Sequence, residues 1–137
     1  MFILNLMFFI APFWLTIFYL SSGLETDNYI LATSGILVAI AGRIITLIGA
    51  HSLRTNRSKK LVQKSIFRFS RNPISLGTHI TFFGLVLIFN FWILWMGWAI
   101  YVVNLHTKIK AEEKVLMTKY PKDYKDYRNH VPRYLII

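Results

Sequence analysis

The sequence predicts an all-α integral membrane bundle: four transmembrane helices, ending in a C-terminal helical hairpin and a cytosolic tail. Three observations predict it. Apolar residues form 55% of the 137-residue chain and aromatic residues 16%, more apolar surface than a soluble core of that length can hide. Charged residues form only 16%, against roughly 25% in a soluble globular domain. The charges are also segregated: residues 1–20 and 74–105 contain no Asp, Glu, Lys or Arg, and residues 29–50 contain only Arg43. This pattern excludes a soluble enzyme and a disordered tail. The absence of cysteine excludes disulfides, thiolate metal sites and cysteine nucleophiles.

Residues 1–20 form the first expected span. They have neither a basic leading segment nor a small-x-small cleavage site, so they read as a retained helix rather than a signal peptide. The link Ser21–Asn28 holds Glu25 and Asp27, and residues 29–50 form the second span. The loop 51–72 contains Arg54, Arg57, Lys59, Lys60, Lys64, Arg68 and Arg71 and no acid. The tail 109–137 is also rich in Lys and Arg. Basic segments stay on the cytoplasmic side, so loop and tail are both cytosolic. The apolar stretch between them must then cross the membrane an even number of times. That gives a hairpin of spans 73–89 and 91–108 with its tip near Asn90, the second arm running on into the cytosol. The chain is one domain, 1–137, with both termini cytoplasmic; in a bacterial cell the membrane is the inner one. Clusters of 4–8 basic residues beside a span attract anionic lipid, so the partner expected for the 54–71 loop is an anionic headgroup rather than nucleic acid.

The cytosolic segments carry the candidate chemistry, and each supports two readings. In Ser70-Arg71-Asn72-Pro73, Asn is a preferred helix N-cap and Pro a preferred first residue. The segment either starts the third span or, with Arg71 beside free N–H groups, holds an anion. Glu112 and Glu113 either pair along the helix, as Lys108 with Glu112, or turn one carboxylate inward as a ligand. Tyr124 and Tyr127 share the face of a short helix after Pro121, as an interfacial anchor or as a lid. Arg43 is an intramembrane ionisable group; it either snorkels or pairs with Glu112, Glu113 or a bound anion. His79 and His106 read as polar helix contacts, because neither has a second ligand at i+3 or i+4, and no metal site is expected.

The order of these motifs is specific. Phe67-Arg68-Phe69-Ser70-Arg71-Asn72-Pro73-Ile74-Ser75-Leu76-Gly77 precedes the hairpin. Glu112-Glu113-x-x-Leu116 and Tyr124-x-x-Tyr127-x-x-x-Val131-Pro132-Arg133 follow it. Residues 61–137 thereby resemble the isoprenylcysteine carboxyl methyltransferase and phospholipid methyltransferase family, in its bacterial form. Three departures stand out: Ser65 replaces the pattern's first Gly, Ser75 replaces a Tyr, and Asn72 replaces the His of the eukaryotic carboxyl methyltransferases. The resemblance implies an integral membrane enzyme that uses S-adenosylmethionine (SAM) to methylate a lipophilic acceptor entering from the bilayer. That acceptor is a prenylcysteine carboxylate, a phospholipid amine or a related small lipid or thiol. The resemblance also implies that Arg71, Asn72, Pro73, Gly77, Glu112, Glu113, Tyr124 and Tyr127 form the cofactor pocket, with Arg71, Asn72 and Glu113 catalytic. The competing class is a non-enzymatic four-helix membrane protein, an exporter or a complex subunit. The lack of any Asp or Glu within the spans counts against an exporter.

Overall fold

The computed structural model describes residues 29–56 and 61–134. The expected first span and its acidic link, Arg57, Lys59 and Lys60 of the basic loop, and the last three residues lie outside the described residues. Within them the chain is helical throughout. Helix α1 covers Tyr29–Thr55, a short 3₁₀ turn covers Ser65–Arg68, α2 covers Pro73–Phe89, α3 covers Trp92–Lys119 and α4 covers Pro121–His130. At about 1.5 Å per residue, α1 and α3 are each about 40 Å long and α2 about 25 Å.

Small residues bring α1 and α2 together. The buried positions of α1 are Ala32, Gly35, Ala39, Gly42, Thr46, Gly49 and Ser52. From Ala32 to Gly49 they alternate three and four residues apart, the spacing of a coiled-coil seam, and Ser52 follows three further on. Facing them on the antiparallel α2 are Gly77, Thr81, Gly84 and Ile88. A methyl group on Gly42 would stand 2.6 Å from the Gly77 carbonyl oxygen, and one on Gly84 would stand 2.6 Å from that of Gly35. The backbones are therefore in direct contact. Apolar side chains gain nothing by leaving lipid, so helices within a membrane associate through close packing of this kind. The Thr46 and Thr81 hydroxyls cost little in this seam, because they donate to the carbonyls of Gly42 and Gly77, both at 2.9 Å.

The opposite face of α1 is apolar and exposed through Ile30, Leu37, Ile40, Ile44 and Leu47, as is α3 through Trp92, Ile93, Met96 and Ile100. Exposed apolar surface of that extent marks a lipid or partner contact. Among the described residues, α1 alone is both long and apolar enough to cross a membrane by itself. Helix α2 is apolar but has only 17 residues, and a span needs about 20. The apolar half of α3 is diluted by Trp95, Trp98, Tyr101, Asn104 and His106. The helical bundle of the sequence reading is therefore present, with one helix of clear spanning character where four spans were expected.

The hairpin tip falls at the expected residue. Asn90 adopts the left-handed conformation, φ 44°, which Asn tolerates better than most residues, and its N–H donates to the Val86 carbonyl at 2.8 Å. Its side chain accepts from Trp95 Nε1 at 3.3 Å across the turn. Aromatic rings then join the two arms, with His79 stacked on Trp98 at 5.3 Å and Phe82 edge-on to Tyr101 at 5.2 Å. The other left-handed residue is Ser65, φ 59°, the position at which Ser replaces the family pattern's Gly.

Thermal stability of three variants in detergent tests this packing and the left-handed turn at Ser65. Gly77→Leu is expected to lower the melting temperature sharply or abolish folding, since overpacking costs about 1–3 kcal/mol even without backbone contact. Gly97→Ala, where an added methyl meets nothing within 4 Å, should leave it unchanged or raised. Ser65→Gly should stabilise by about 1 kcal/mol through relief of the left-handed strain.

Candidate active site

The antiparallel α1–α2 pair places the end of α1, the 3₁₀ turn and the start of α2 at one end of the bundle. Helix α3 outlasts α2 by eleven residues (28 against 17) and brings Glu113 to that same end. Pro121 starts a new helix after Tyr120, and the chain folds back over the start of α2.

The returning tail is stitched on by its backbone. The Arg71 N–H donates to the Pro132 carbonyl at 3.0 Å. The Ser70 hydroxyl and the Asn72 amide nitrogen donate to the Arg133 carbonyl at 3.2 and 3.4 Å. Tyr124 and Tyr127 are buried beneath α4, and the Tyr127 hydroxyl donates to the Phe67 carbonyl at 2.7 Å. Burial raises the Tyr127 phenol, and the neighbouring Tyr124 adds to the shift.

At the centre lies a buried carboxylate between two guanidiniums. Arg133 grips Glu113 with both ends of its fork, Nε to Oε1 at 3.1 Å and Nη2 to Oε2 at 2.7 Å. Arg71 Nη1 approaches Oε1 at 3.1 Å, with the Arg71 side chain 8% exposed and that of Glu113 10%. Burial pushes the Glu113 carboxyl upward. The Arg133 hydrogen bonds, the Arg71 and Arg133 charges and the Asn72 side chain together outweigh burial and hold the carboxyl below its ordinary value. One anion between two cations leaves the cluster with a net positive charge. Arg71 Nε and Nη1 and the Tyr124 hydroxyl are buried with no partner of hydrogen-bonding geometry. Burial and the Glu113 charge raise the Tyr124 phenol, and Arg71 opposes them.

The structure thus brings Arg71, Asn72, Glu113 and Tyr124 together. Pro73 lies buried as the first residue of α2. Gly77 faces away from the cluster, against Thr46 and Gly42 of α1. Glu112 points outward, half exposed, 3.8 Å from Lys108, in the helix-pairing arrangement. Tyr127 braces the 3₁₀ turn. The ion partners of Glu113 are Arg71 and Arg133, and Arg43 sits further along α1 beside the Gly42 contact. Arg133 is the residue that charge pattern alone did not single out; its signal was the Val131-Pro132-Arg133 end of the third motif. Among the described residues no group of three His, Asp or Glu could hold a metal ion.

Three clefts flank the cluster. One of about 490 Å³ is lined by Arg71, Arg128, His130, Pro132 and Arg133. A second, about 520 Å³ and mainly apolar, opens between α2 and α3 beside Leu76, His79, Val102, His106 and Tyr134. The third, about 540 Å³, lies between α1 and the 3₁₀ turn beside Ile45, Ile66 and Leu76.

A helical hairpin packed on a long apolar helix, with a cationic cluster at one end and apolar clefts open to the side, is the architecture of a membrane-associated protein. The chain belongs to the phospholipid methyltransferase family, whose model matches residues 29–123. Methyl transfer on lipid-related substrates is accordingly its class of activity. No curated protein and no solved structure matches the chain. The family match covers Arg71 and Glu113 and stops before Arg133, so the tail's part in the cluster rests on the geometry.

The ion cluster carries a pH dependence. The folded Glu113 carboxyl titrates below its unfolded value of about 4.3, so the unfolded chain binds more protons between those two values. Tail docking is therefore complete above pH ~4.3 and lost as pH falls through the lowered value. Limited proteolysis within Lys122–Arg128 should accelerate in that acid window. Glu113→Ala should produce the same acceleration at neutral pH, because it strands the buried Arg71 guanidinium and releases Arg133, and breaking a buried pair costs about 3–5 kcal/mol.

Proposed function

We propose that this protein transfers a methyl group from SAM to a lipophilic acceptor at the cytosolic face of the membrane. The acceptor is a phospholipid amine, a prenylcysteine carboxylate or a related small lipid or thiol. The observation that carries the proposal is the net-positive Arg71–Glu113–Arg133 cluster, whose first two members lie within the family match. The second guanidinium leaves the cluster one positive charge in excess, and Arg71 Nε is buried with no hydrogen-bond acceptor; the carboxylate of SAM suits such a cation. SAM brings a methyl carbon already activated by the sulfonium. The residues of this chain have to bind, align and keep water out, and such positioning is worth about 7–11 kcal/mol.

Arg71 is the anchoring cation, aided by Asn72 and the Pro73 helix start. Glu113 is the positioning residue that holds both guanidiniums. Both its oxygens are engaged and its carboxyl is held low, which makes it a poor base. Tyr124 closes the wall beneath the tail. The acceptor chain enters sideways from the bilayer through the cleft between α2 and α3. The exposed Arg54, Lys64 and Arg68, with exposed Phe69 beside them, form the face that meets anionic headgroups.

Calorimetric titration of the detergent-solubilised protein with S-adenosylhomocysteine tests this. One-to-one binding is expected, weakened at least tenfold in Arg71→Ala, a loss of about 1.4 kcal/mol or more, and unchanged in Arg54→Ala. Equal weakening in both variants would mean that the basic residues act only as bulk charge. Absence of binding by the folded wild type would favour a non-enzymatic membrane protein.

A further inference from the structure

We propose that His106 is the catalytic base of methyl transfer to an amine acceptor, taking the proton from the headgroup. This rests on the methyl-transfer reading above and adds the base. A carboxylate or thiolate needs no base, but an alkyl ammonium, with a pKa near 10 like that of a lysine, has no lone pair until it is deprotonated. Glu113 is fully engaged by two arginines. Tyr127 spends its hydroxyl on Phe67, and Tyr124 is 1% exposed.

His106 differs from all of these. It lines the apolar cleft between α2 and α3, where an acyl chain would lie. It precedes Glu113 by seven residues of α3, which is two turns, the same face and a distance of about 10 Å along the axis. A headgroup held at His106 therefore lies on the membrane side of the cationic cluster. The ring is also oriented, since His106 Nδ1 stands 2.9 Å from the Tyr134 hydroxyl. With Nδ1–H donating to Tyr134, Nε2 keeps its lone pair as the proton acceptor. Tyr134 follows Arg133 directly, so the ion cluster that docks the tail also sets the imidazole.

The groups facing His106 can be named element by element. Helix α2 contributes His79, the tail contributes Tyr134 with Arg133 and Glu113 behind it, and on α3 itself Lys110 lies one turn on and exposed. Helix α1 contributes none to the cleft lining. Burial raises the Tyr134 phenol, against the effect of Arg133, which keeps its hydroxyl neutral. His79 is the lesser candidate. It stacks on Trp98 and Tyr101, and its Nδ1 is buried with no partner to set the ring.

In the proposed step an ammonium N–H gives its proton to Nε2 of His106 and the bonding pair stays on nitrogen. That lone pair forms the N–C bond to the methyl carbon as the C–S bond breaks, with the C–S pair going to sulfur. A secondary ammonium and a neutral thioether result, and the imidazolium returns its proton to water.

The full-length protein in vesicles containing phosphatidylethanolamine, supplied with methyl-labelled SAM, tests this against a prenylcysteine carboxylate acceptor in the same vesicles. His106→Gln should cut amine methylation about a hundredfold. Added imidazole should partly restore the rate, and S-adenosylhomocysteine affinity should stay at the wild-type value. Tyr134→Phe, which removes the orienting hydroxyl, should reduce amine methylation by a smaller factor. Wild-type amine methylation by His106→Gln would overturn the assignment, as would equal loss on amine and carboxylate acceptors or weakened S-adenosylhomocysteine binding. A wild type that binds S-adenosylhomocysteine and methylates only the carboxylate overturns the amine proposal and leaves methyl transfer standing. A wild type that binds no S-adenosylhomocysteine overturns both.

Discussion

The Glu113 carboxylate, held by Arg133 on both oxygens and by Arg71 on one, ties together three segments distant in sequence. It sits on the overhanging part of α3, Arg71 precedes α2, and Arg133 ends the tail. A buried carboxylate between two guanidiniums is costly to form and more costly to break, because removing one partner leaves uncompensated charge out of water. The interaction therefore selects one position for the tail. The backbone bonds from Arg71 to Pro132 and from Ser70 to Arg133, and the burial of Tyr124 and Tyr127, follow from that placement. Without the ion cluster, a ten-residue helix of mostly charged residues has only two tyrosines to bury.

The cluster needs a fixed platform, and the α1–α2 seam provides it. With the Gly42 and Gly77 backbones in contact, and likewise Gly35 and Gly84, a slide of one helix along the other would drive a branched side chain into a carbonyl. The register of α2 against α1 is thus fixed by the lack of side chains. That register places Asn72 and Pro73 level with Gly49 and the end of α1, and the 3₁₀ turn bridges the gap. Gly77 belongs to the sequence motif that carries the site residues, yet its contribution is made through this seam.

Much of this was legible in the sequence. The hairpin limits were readable because Pro73 and Asn90 are local signals, a proline that starts a helix and an asparagine that tolerates the left-handed turn. The two basic blocks, which the charge asymmetry assigns to the cytosol, lie at one end of the bundle. The choice between Glu112 and Glu113 was legible only through the family resemblance, not from the residues themselves. Neighbours on a helix differ by about 100°, and only the tail's position decides which carboxylate is covered. Arg133 was hidden among many basic residues of the tail, since charge alone does not say which one folds back. The span signal is weaker in α3 than in α1, because tryptophans, Asn104 and His106 dilute its apolar run.

The distribution of polarity along α3 constrains the chemistry more than any single residue does. Trp92 to Val103 is apolar or aromatic, His106 is the first titratable side chain after Tyr101, Ile109 is fully buried, and Glu113 closes the row. His106, Ile109 and Glu113 share one stripe, three and four residues apart, so the buried isoleucine insulates the imidazole from the carboxylate. A group needed for charge anchoring and a group needed for proton transfer have opposite requirements. The first must stay ionised and engaged, and the second must be free to change its charge. Glu113, held low by two arginines, satisfies the first requirement and fails the second. One helix keeps the two functions apart by a turn of hydrocarbon, with the charged anchor on the part of α3 that overhangs α2 and the proposed base nearer the hairpin.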